Sequence, residues 1–392
     1  RESVFTSTSR SSGLSTTEEV AAFGAPSDHV LAIVTVTAEN TGTETTSAAS
    51  ETLGVGDGEW YGSGSGAPGA IVGRSEDRFT SGGLPEIDPS ESVTGYYVAQ
   101  IPRETARGTI EVTGQLDGQG TLPERVWTAE PEGEDRALSN LTLESVETLE
   151  TAPLGQDYEI TVTVANEGDA AGTLRSVVQW DDDGSWAQLR AATSRADLSV
   201  DRSTGGVIRR EVEAGGTADI SLTSFSVYNQ QYTYRVQPFG DEWQIGFEEA
   251  MLSFGDRLKS LDNANIVVRD VRVQDTVTAY DDFQDEEYEA EPDDGNQFVA
   301  VQYRFTRRND SESGTTPDTS DFTLLADGTE VGSSTYVDGD IEPVENELED
   351  RSEATGWDFY EVPAEYTASD LAAHYEYYPG FGSSVGTVAT WE

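Results

Sequence analysis

The chain of 392 residues has no cysteine, one methionine, two histidines and a single lysine, Lys259. Without cysteine it has no disulfide framework, zinc–thiolate site, iron–sulfur cluster or thiol nucleophile. Only His29 and His374 can supply imidazole, so a metal centre built from several histidines is excluded too. Long apolar runs are also missing, since no stretch approaches the ~20 residues of a membrane-spanning helix. The sequence therefore contains no transmembrane segment, and Arg1 does not begin a signal peptide, so any targeting segment or lipid anchor is expected to lie outside the chain.

Positive charge is scarce as well. The 23 Lys and Arg residues face 74 Asp and Glu residues, which gives a formal net charge of −51. Nucleic acids and anionic membranes are bound by clustered Lys and Arg, so we expect neither as a partner. Acidic chains with few apolar residues are usually disordered, but here 35% of residues are hydrophobic and 9% are aromatic. We interpret the chain as a folded protein with an acidic surface.

The acidic residues are spread along the whole chain, and arginine is almost the only cation. This composition resembles that of proteins from extremely halophilic archaea. Repulsion within so acidic a fold is screened when the Debye length falls from about 10 Å at ~0.1 M salt to about 3 Å at ~1 M. We therefore expect the fold to loosen below about 1 M salt. An acidic surface protein of a mesophile is the alternative interpretation.

Short strands dominate the sequence. Runs of β-branched and aromatic residues alternate with Gly, Asp, Asn and Ser, as expected for strands bounded by turns. Only Phe247–Leu258 reads as an amphipathic helical turn or two, ended by Gly255. This spacing predicts an all-β protein built of immunoglobulin-like β-sandwiches. The clearest predicted strands are Val30–Thr37, Tyr158–Ala165, Ala218–Leu222, Ile266–Val273 and Phe298–Phe305.

An internal repeat defines the domain organisation. In Thr94–Glu104 and Thr355–Glu365, a Thr-Gly pair and a Pro-x-Glu triplet stand at the same offset, and each segment follows a long predicted strand. Proline lacks an amide donor and belongs where a strand stops pairing. We therefore predict three tandem β-sandwich domains, at residues 1–135, 136–240 and 241–392, with the first and third being copies of one type.

Motifs in these copies resemble known families. The Asp327-Gly328 hairpin and Phe359–Pro363 (FYEVP) fit the telokin-like, immunoglobulin-type sandwich of secreted proteins and lipoproteins, and Tyr97–Pro102 fits it more loosely. Val162–Gly168 (VTVANEG) and Glu211–Leu222 (EVEAGGTADISL) are similar to the cell-adhesion-related sandwich of prokaryotic surface proteins. These resemblances imply a β-sandwich fold and export, and they imply no activity.

Signals of catalysis are weak. A Ser-His-Asp triad needs a histidine beside a nucleophile, but His29 opens a strand and His374 lies in a tyrosine-rich strand. No G-x-S-x-G motif occurs. Gly64–Gly69 matches G-x-G-x-x-G, yet no helix follows and Pro68 interrupts it, so a dinucleotide site is not indicated. Among 74 acids no carboxylate pair is singled out. We predict that the protein is not an enzyme and has no organic cofactor.

Calcium is the one metal that the sequence favours, because it takes six to eight oxygen ligands and prefers carboxylate-rich loops. Acids are concentrated in Asp181–Gly184, Asp281–Asp294 and Asp338–Glu342. None of these has the spacing of a known calcium loop, so solvated acidic loops with a diffuse cation cloud remain the alternative. The candidate ligands are Asp181, Asp183, Asp338 and Asp340.

Two N-glycosylation sequons occur, Asn140-Leu-Thr142 and Asn309-Asp-Ser311. They predict glycans at Asn140 and Asn309, in keeping with an exported glycoprotein. In a chain so rich in Ser and Thr, one or two such matches are also expected by chance.

Aromatic residues are abundant enough for a sugar-binding platform, but most are better explained as strand residues that fill sandwich cores. Four of them fall at matching places in the two copies, which favours a core role: Tyr96, Tyr97, Trp357 and Tyr360. Strand alternation puts Tyr375 and Tyr377 on one face and Tyr378 on the other.

These observations predict a non-enzymatic, extracellular structural or adhesive protein of an extreme halophile, such as a surface ectodomain, an envelope component or a filament subunit. Its expected partners are proteins, either further copies of itself or other surface proteins, met through strand edges or domain faces. The N-terminal segment Arg1–Ser15 is a hypothetical strand for pairing with a neighbouring subunit. The alternatives are a surface lipoprotein that captures a cation, a sugar or an accessory partner, and a viral spike or decoration protein.

Overall fold

The computed structural model describes most of the chain. Within the described residues, α-helix is limited to α1 (Arg103–Ala106), so none of their helices is long and apolar enough to cross a membrane. The described residues are 3–12, 15–47, 51–55, 78–80, 86–118, 120–121, 125–130, 137–182, 184–189, 192–193, 206–261, 264–281, 286–307, 314–315, 317, 319–331, 333–334, 347–348, 353–378 and 386–392.

The strands are numbered in chain order. The first third holds β1 (Ser3–Ser12), β2 (Ser15–Gly24), β3 (His29–Glu39), β4 (Thr46–Ser47), β5 (Glu51–Val55), β6 (Arg78–Thr80), β7 (Glu86–Ile87), β8 (Ser92–Pro102), β9 (Ile110–Gly118), β10 (Gly120–Thr121) and β11 (Arg125–Ala129). The middle third holds β12 (Leu141–Glu147), β13 (Thr151–Pro153), β14 (Tyr158–Asn166), β15 (Gly172–Asp182), β16 (Ser185–Gln188), β17 (Ala192–Thr193), β18 (Val207–Val212), β19 (Thr217–Ser224), β20 (Gln231–Gln237) and β21 (Asp241–Glu248). The last third holds β22 (Ala250–Leu252), β23 (Arg257–Lys259), β24 (Ala264–Gln274), β25 (Val277–Asp281), β26 (Glu286–Ala290), β27 (Asn296–Arg307), β28 (Gly314–Thr315), β29 (Phe322–Ala326), β30 (Thr329–Glu330), β31 (Ser333–Ser334), β32 (Glu347–Leu348), β33 (Glu353–Pro363), β34 (Leu371–Tyr377) and β35 (Thr387–Trp391), with 3₁₀ turns at Thr319–Asp321 and Ala368–Asp370.

The all-β fold predicted from the sequence is confirmed, and the five predicted strands lie within β3, β14, β19, β24 and β27. One local prediction is wrong. Phe247–Leu258 is not helical; it contains the end of β21, β22 and the start of β23. The described residues form two compact units. One comprises Arg1–Thr148, Glu159–Ser224 and Tyr232–Gln244, and the other comprises Leu149–Tyr158, Phe225–Gln231 and Ile245–Glu392. The three domain boundaries given above stay a prediction.

The sequence repeat is a repeat of one strand pair. In the first copy β3 pairs antiparallel with β8, and His29 lies opposite Pro102. In the third copy β27 pairs with β33, and Asn296 lies opposite Pro363. The prolines therefore end the same ladder in the same register, as expected for residues without an amide donor. The Asp327-Gly328 hairpin is also present, with positive φ at both residues (49° and 72°) between β29 and β30.

The third sandwich packs two five-stranded sheets, ordered β22-β35-β34-β29-β30 and β23-β24-β27-β33-β31. Aromatic side chains fill the space between them. Phe322 lies 4.4 Å from Tyr303 and 4.9 Å from Tyr375, measured between ring centroids, and all three are buried. Tyr360 is buried beside them, which confirms its predicted core role, whereas Tyr96 and Trp357 are only half-buried against their cores.

In the middle third, β12, β14, β19 and β17 form one sheet, and β15 pairs with β16, β18 and β20 in another. The strand β14 alternates between buried and more exposed residues, as a strand with one core face should. At its end Asn166 is buried, and its amide nitrogen donates to the carbonyl oxygens of Ala170 and Val212. In the first copy the amide of Asn40 donates in the same way to Glu44 and Ile87. The N-x-G motif at the end of these strands is therefore structural.

The N-terminal segment pairs within its own chain. The strand β1 pairs antiparallel with β2 along its whole length, so one of its edges is occupied within its own chain. Pairing of Arg1–Ser15 with a neighbouring subunit stays a hypothesis. One face of this hairpin places Val4 against Leu31 of β3. The other face packs Phe5 against Val177 of β15. Apolar residues on both faces of a hairpin give it partners inside the unit, which the polar composition of the segment did not reveal.

Candidate functional site

The first sandwich has an open edge at β11. In the described part of the chain this strand pairs only with β9, where Trp127 lies opposite Val112. Directly opposed residues of an antiparallel pair share a face, and Val112 is buried against Val34 and Val36. Trp127 thus lies on the core side of its sheet, yet 53% of its surface is exposed. The adjacent Val126 is 57% exposed.

The third sandwich is closed at the equivalent edge. Trp391 lies opposite Ala373, as Trp127 lies opposite Val112. Ala373 follows Pro363 by ten residues, and Val112 follows Pro102 by ten residues. Trp127 and Trp391 are therefore equivalent positions of the two copies. Trp391 is fully buried. Its Nε1 donates to the carbonyl oxygen of Asp256 at 3.0 Å, and β22 pairs with β35 in parallel. The segment that covers Trp391 has no counterpart among the described strands of the first sandwich.

Among the described residues, the strand β3 has one strand neighbour fewer than its counterpart β27. In the third sandwich, β24 pairs antiparallel with β27 on the side away from β33. In the described residues β3 pairs only with β8. Burial follows this difference, because Tyr303 and Phe305 of β27 are almost wholly buried, whereas the equivalent Val36 and Ala38 of β3 are partly exposed.

The strand β3 lacks the features that usually keep strand edges from pairing, whereas β11 begins with a charged residue, Arg125. Natural edges carry charged residues, prolines or bulges. The strand β3 has no charged residue between His29 and Glu39, no proline, and an uninterrupted register with β8. In a chain with a net charge of −51, such an uncharged edge is suited to contact with another β-strand.

The compact unit that includes the first sandwich contains a cleft of about 470 Å³. Polar groups in its lining come from Gln100, Asn140 and Asp241, and apolar surface comes from Leu141 and Phe239 among others. The Gln100 side chain is buried, and its Nε2 donates to the carbonyl oxygen of Gly24 at 3.2 Å. The volume lies in the range of small-molecule sites, and the lining mixes apolar surface with a few polar groups, as such sites do.

Two arginines of the first copy bind residues that begin the middle third. Nε of Arg103 donates to the carbonyl oxygen of Ser27 at 2.8 Å. Its two terminal nitrogens donate to the carbonyl oxygen of Ser139 and to Oδ1 of Asn140. Arg107 forms an ion pair with Asp169 at 3.3 Å. The backbone N–H of Leu138 and the Arg107 guanidinium lower the pKa of Asp169. In the third copy the equivalent positions are Ala364 and Ala368, so a comparison of the two copies would have singled out both arginines.

The predicted calcium ligands are only partly described. Asp181 lies at the end of β15, and its Oδ1 accepts a hydrogen bond from the backbone N–H of Gly184 at 2.8 Å, as in a hairpin turn. Asp183, Asp338 and Asp340 lie outside the described residues. Within the described ranges, no group of three or more His, Asp or Glu side chains is arranged to hold a metal ion. A calcium site stays a prediction.

The predicted glycosylation sites fare similarly. Asn140 is half-buried, its Oδ1 accepts from Arg103, and its Nδ2 donates to Oε2 of Glu167 at 3.3 Å. Asn309 lies outside the described residues. Modification of either asparagine stays a prediction.

Both histidines have structural partners. Nδ1 of His29 lies 2.7 Å from Oδ1 of Asp28, and this hydrogen bond lowers the pKa of the Asp28 carboxyl. Nδ1 of His374 lies 2.8 Å from the Thr390 hydroxyl, which donates to Oε1 of Glu249. These contacts join β34, β35 and the residue before β22, so they help to hold β22 beside β35.

A buried polar cluster in the third sandwich was not predicted. The hydroxyls of Tyr303 and Tyr360 are 3.1 Å apart. Burial raises the pKa of Tyr303 well above its ordinary value, and burial together with the nearby Asp358 raises that of Tyr360. In the register that matches Pro363 with Pro102, the equivalents of the two tyrosines in the first copy are Val36 and Ala99, so the difference between the copies was the available signal. The predicted match of Tyr360 with an aromatic residue of the first copy is therefore wrong, whereas Trp357 does match Tyr96.

Comparisons with known proteins do not assign the chain to a family. No protein-family model matches the chain, and no curated protein matches it. One match among solved structures is a chain from Corynebacterium diphtheriae described as "Putative membrane anchored protein", at 12% identity over 100% of this chain and 95% of that chain, with a TM-score of 0.16. A TM-score this low carries no argument about fold or function.

Proposed function

We propose that the protein is a non-enzymatic, extracellular structural or adhesive protein of an extreme halophile, which contacts other proteins through its β-sandwiches. The observation that supports this most is the exposed Trp127 on β11, a strand that pairs only with β9 in the described part of the chain. An exposed sheet edge binds partners by adding a strand, with main-chain hydrogen bonds for affinity and side-chain contacts for specificity. Trp127 supplies such a contact, since aromatic residues are enriched at interfaces.

The charge supports the proposed environment. With −51 charges per chain, close contact between two such proteins is opposed by repulsion in dilute buffer and is screened at molar salt. The resemblance of the outer copies to telokin-like sandwiches and of the middle third to cell-adhesion-related sandwiches supports export and a surface location. Both the halophilic origin and the surface location belong to the proposal.

Binding of coated beads to haloarchaeal envelope fragments, in molar potassium chloride, tests this function. We expect beads that carry the protein to bind the fragments, and Trp127→Ser to reduce binding by about 10-fold, as loss of an interface aromatic does. Met251→Ser is the matched control, because Met251 is 59% exposed in the other unit. Binding no greater than that of uncoated beads contradicts the proposal.

A second candidate function, capture of a small polar ligand, is favoured by the 470 Å³ cleft. Its polar lining suits a sugar or another neutral hydroxylated compound. A thermal-shift screen with monosaccharides in molar potassium chloride tests it, with Asp241→Ala as the variant that should lose any shift. A screen without any shift contradicts this candidate and leaves the adhesive function untouched.

A further inference from the structure

We propose that β11 binds an extended segment of a partner protein as an added strand, which runs parallel to β11 as β22 runs parallel to β35. The segment presents uncharged residues where it lies beside β11, and a large apolar residue beside Trp127. The inference rests on the proposed function, because it names the strand that makes the contact and the chemistry of the segment that is bound.

The strand β11 is exposed on both of its faces. Neighbouring residues of a strand point to opposite faces, and Val126 and Trp127 are 57% and 53% exposed. Thr128 and Ala129 are exposed as well. In the part of the chain that the structure describes, β11 pairs with β9 alone. Exposure of both faces together fits a strand without a second neighbour, rather than a paired strand with one uncovered face.

The third sandwich shows which strand direction this edge accepts. There Ala250–Leu252 pairs in parallel with Ala389–Trp391. The backbone N–H of Glu392 donates to the carbonyl oxygen of Leu252 at 2.9 Å. Nε1 of Trp391 donates to the carbonyl oxygen of Asp256 at 3.0 Å. The segment around β22 thus satisfies both a backbone donor and the indole N–H at this edge.

The equivalent donors of β11 point in the same direction. Trp127 is equivalent to Trp391, so Thr128 is equivalent to Glu392. Backbone groups alternate in direction along a strand, so Val126 and Thr128 direct their N–H groups away from β9. A parallel segment beside β11 therefore meets the same set of donors that β35 presents to β22.

Burial along β22 defines the chemistry of the segment. Ala250 and Leu252 are buried, whereas Met251 between them is 59% exposed. Leu252 lies beside Trp391, so a large apolar residue suits the equivalent place on β11. All three residues of β22 are uncharged, as is β11 after its first residue. An uncharged segment can therefore pair with β11 without bringing carboxylates together along the strand.

A segment of a partner protein fits this edge better than β11 of a second copy does. Two β11 strands related by a twofold axis run antiparallel to each other. The strand at the equivalent edge of the third sandwich runs parallel. A second copy also brings a further net charge of −51 towards the edge, which opposes the contact.

Fluorescence anisotropy in molar potassium chloride tests the site, with a labelled synthetic peptide of residues Glu249–Asp256 as the probe. We expect saturable binding of one peptide per chain. Trp127→Ser should raise the dissociation constant at least about 10-fold, as loss of an interface aromatic does. The same peptide with Leu252→Asp is the control and should not bind. Lack of saturable binding, or equal affinity of Trp127→Ser and the unaltered chain, overturns the proposal.

Thr128→Pro tests the backbone contact. It removes an outward N–H and leaves the bonds to β9 in place, so the dissociation constant should rise at least about 10-fold, with an unchanged melting temperature. Thr128→Val keeps the N–H and should bind the peptide like the unaltered chain. Equal affinities of these two variants for the peptide overturn strand addition.

Glu130→Cys gives the direction of the bound peptide, because the chain has no cysteine of its own. In a parallel arrangement the carboxyl end of the peptide lies near residue 130. Mild oxidation should therefore join Glu130→Cys to a peptide with a cysteine at its carboxyl end, in preference to one with a cysteine at its amino end. Equal yields, or the reverse preference, overturn the proposal.

Two further measurements identify other occupants of the edge. Sedimentation equilibrium in molar potassium chloride should give a monomer, and self-association that Trp127→Ser abolishes makes the occupant a second copy. Hydrogen exchange at the amides of Val126 and Thr128 should be fast without peptide. Protection of both amides in the monomer makes the occupant a segment of the same chain. Either result overturns the proposal.

These outcomes are separate from those of the bead experiment. A chain that binds no peptide while its coated beads bind envelope fragments overturns strand addition at β11 and leaves the adhesive function standing. A chain that binds the peptide while its beads bind no fragments contradicts adhesion to the envelope and leaves the β11 site standing.

Discussion

Trp127 and Trp391 occupy equivalent positions in two copies of one sandwich, yet Trp391 is fully buried and Trp127 is 53% exposed. The difference lies in the segment that contains β22, β23 and β24, which pairs with β35 and β27 in the third sandwich. The first sandwich has no described counterpart of this segment. Within the described residues, the third copy therefore covers its tryptophan with its own chain, and the first copy leaves Trp127 exposed.

This difference predicts opposite consequences for the two tryptophans. Trp391→Ala should lower the free energy of unfolding by about 3–5 kcal/mol, because it leaves a large cavity in the core. Trp127→Ala should change it by less than about 0.5 kcal/mol, as is usual for exposed positions. Urea denaturation in molar potassium chloride, followed by circular dichroism, measures both values. Similar losses in the two variants would show that Trp127 is covered in solution.

Salt should control the stability of the whole fold. The net charge of −51 is screened at molar potassium chloride, and the repulsion grows as the Debye length rises to about 10 Å near 0.1 M. We expect the melting temperature to fall steadily as salt is lowered, and the fold to loosen below about 1 M. Scanning calorimetry over a salt series measures this, with sucrose as an uncharged control for solvent exclusion. A melting temperature that does not depend on salt contradicts the halophilic interpretation.

Arg103 should contribute more to stability than Arg107. Arg103 is half-buried and donates to the carbonyl oxygens of Ser27 and Ser139 as well as to Asn140. Loss of these charged donors in Arg103→Ala should lower the free energy of unfolding by about 1–3 kcal/mol. Arg107→Ala is the matched control, with an expected loss below about 1 kcal/mol, since its ion pair is exposed. Urea denaturation measures both losses, and equal losses from the two variants would contradict this ranking.

The lowered pKa of Asp169 predicts part of the change in stability at acid pH. Its pKa is lowered in the folded state by the N–H of Leu138 and by Arg107. A lowered pKa contributes stability above the unfolded value of 3.8, and this contribution is lost as pH falls through the still lower folded value. The melting temperature of Asp169→Asn should therefore fall less steeply than that of the unaltered chain at acid pH. Parallel curves for the two proteins would contradict a role for this carboxylate.

Much of the fold was predictable because strand patterns and turn chemistry are local. The repeat around Pro102 and Pro363 predicted the shared strand pair, and Asp327-Gly328 predicted a hairpin. The wrong prediction at Phe247–Leu258 arose because a short apolar run fits a helix or a strand, and pairing with distant β35 decides between them. The exposure of Trp127 was not predictable in this way. It depends on which distant strand lies beside β11, and the local sequence pattern does not encode that.

The tyrosine pair of the third sandwich predicts an alkaline limit to stability. Burial raises the pKa of both Tyr303 and Tyr360 in the folded state. A raised pKa contributes stability that is fully present below the unfolded value of 10.0 and is lost as pH rises above it towards the folded value, because the unfolded chain ionises first. The free energy of unfolding should thus decline above about pH 10.

Tyr303→Phe isolates this effect. It removes one buried hydroxyl, so at neutral pH we expect a loss of roughly 0.5–1.5 kcal/mol for the hydrogen bond to Tyr360. Above about pH 10 its stability should decline less steeply than that of the unaltered chain, since one ionisable group with a raised pKa is gone. Tyr288→Phe, at an exposed tyrosine, is the control and should follow the unaltered chain. Urea denaturation at a series of pH values gives the slopes, and equal slopes for Tyr303→Phe and the unaltered chain would mean that the buried pair does not set the alkaline limit.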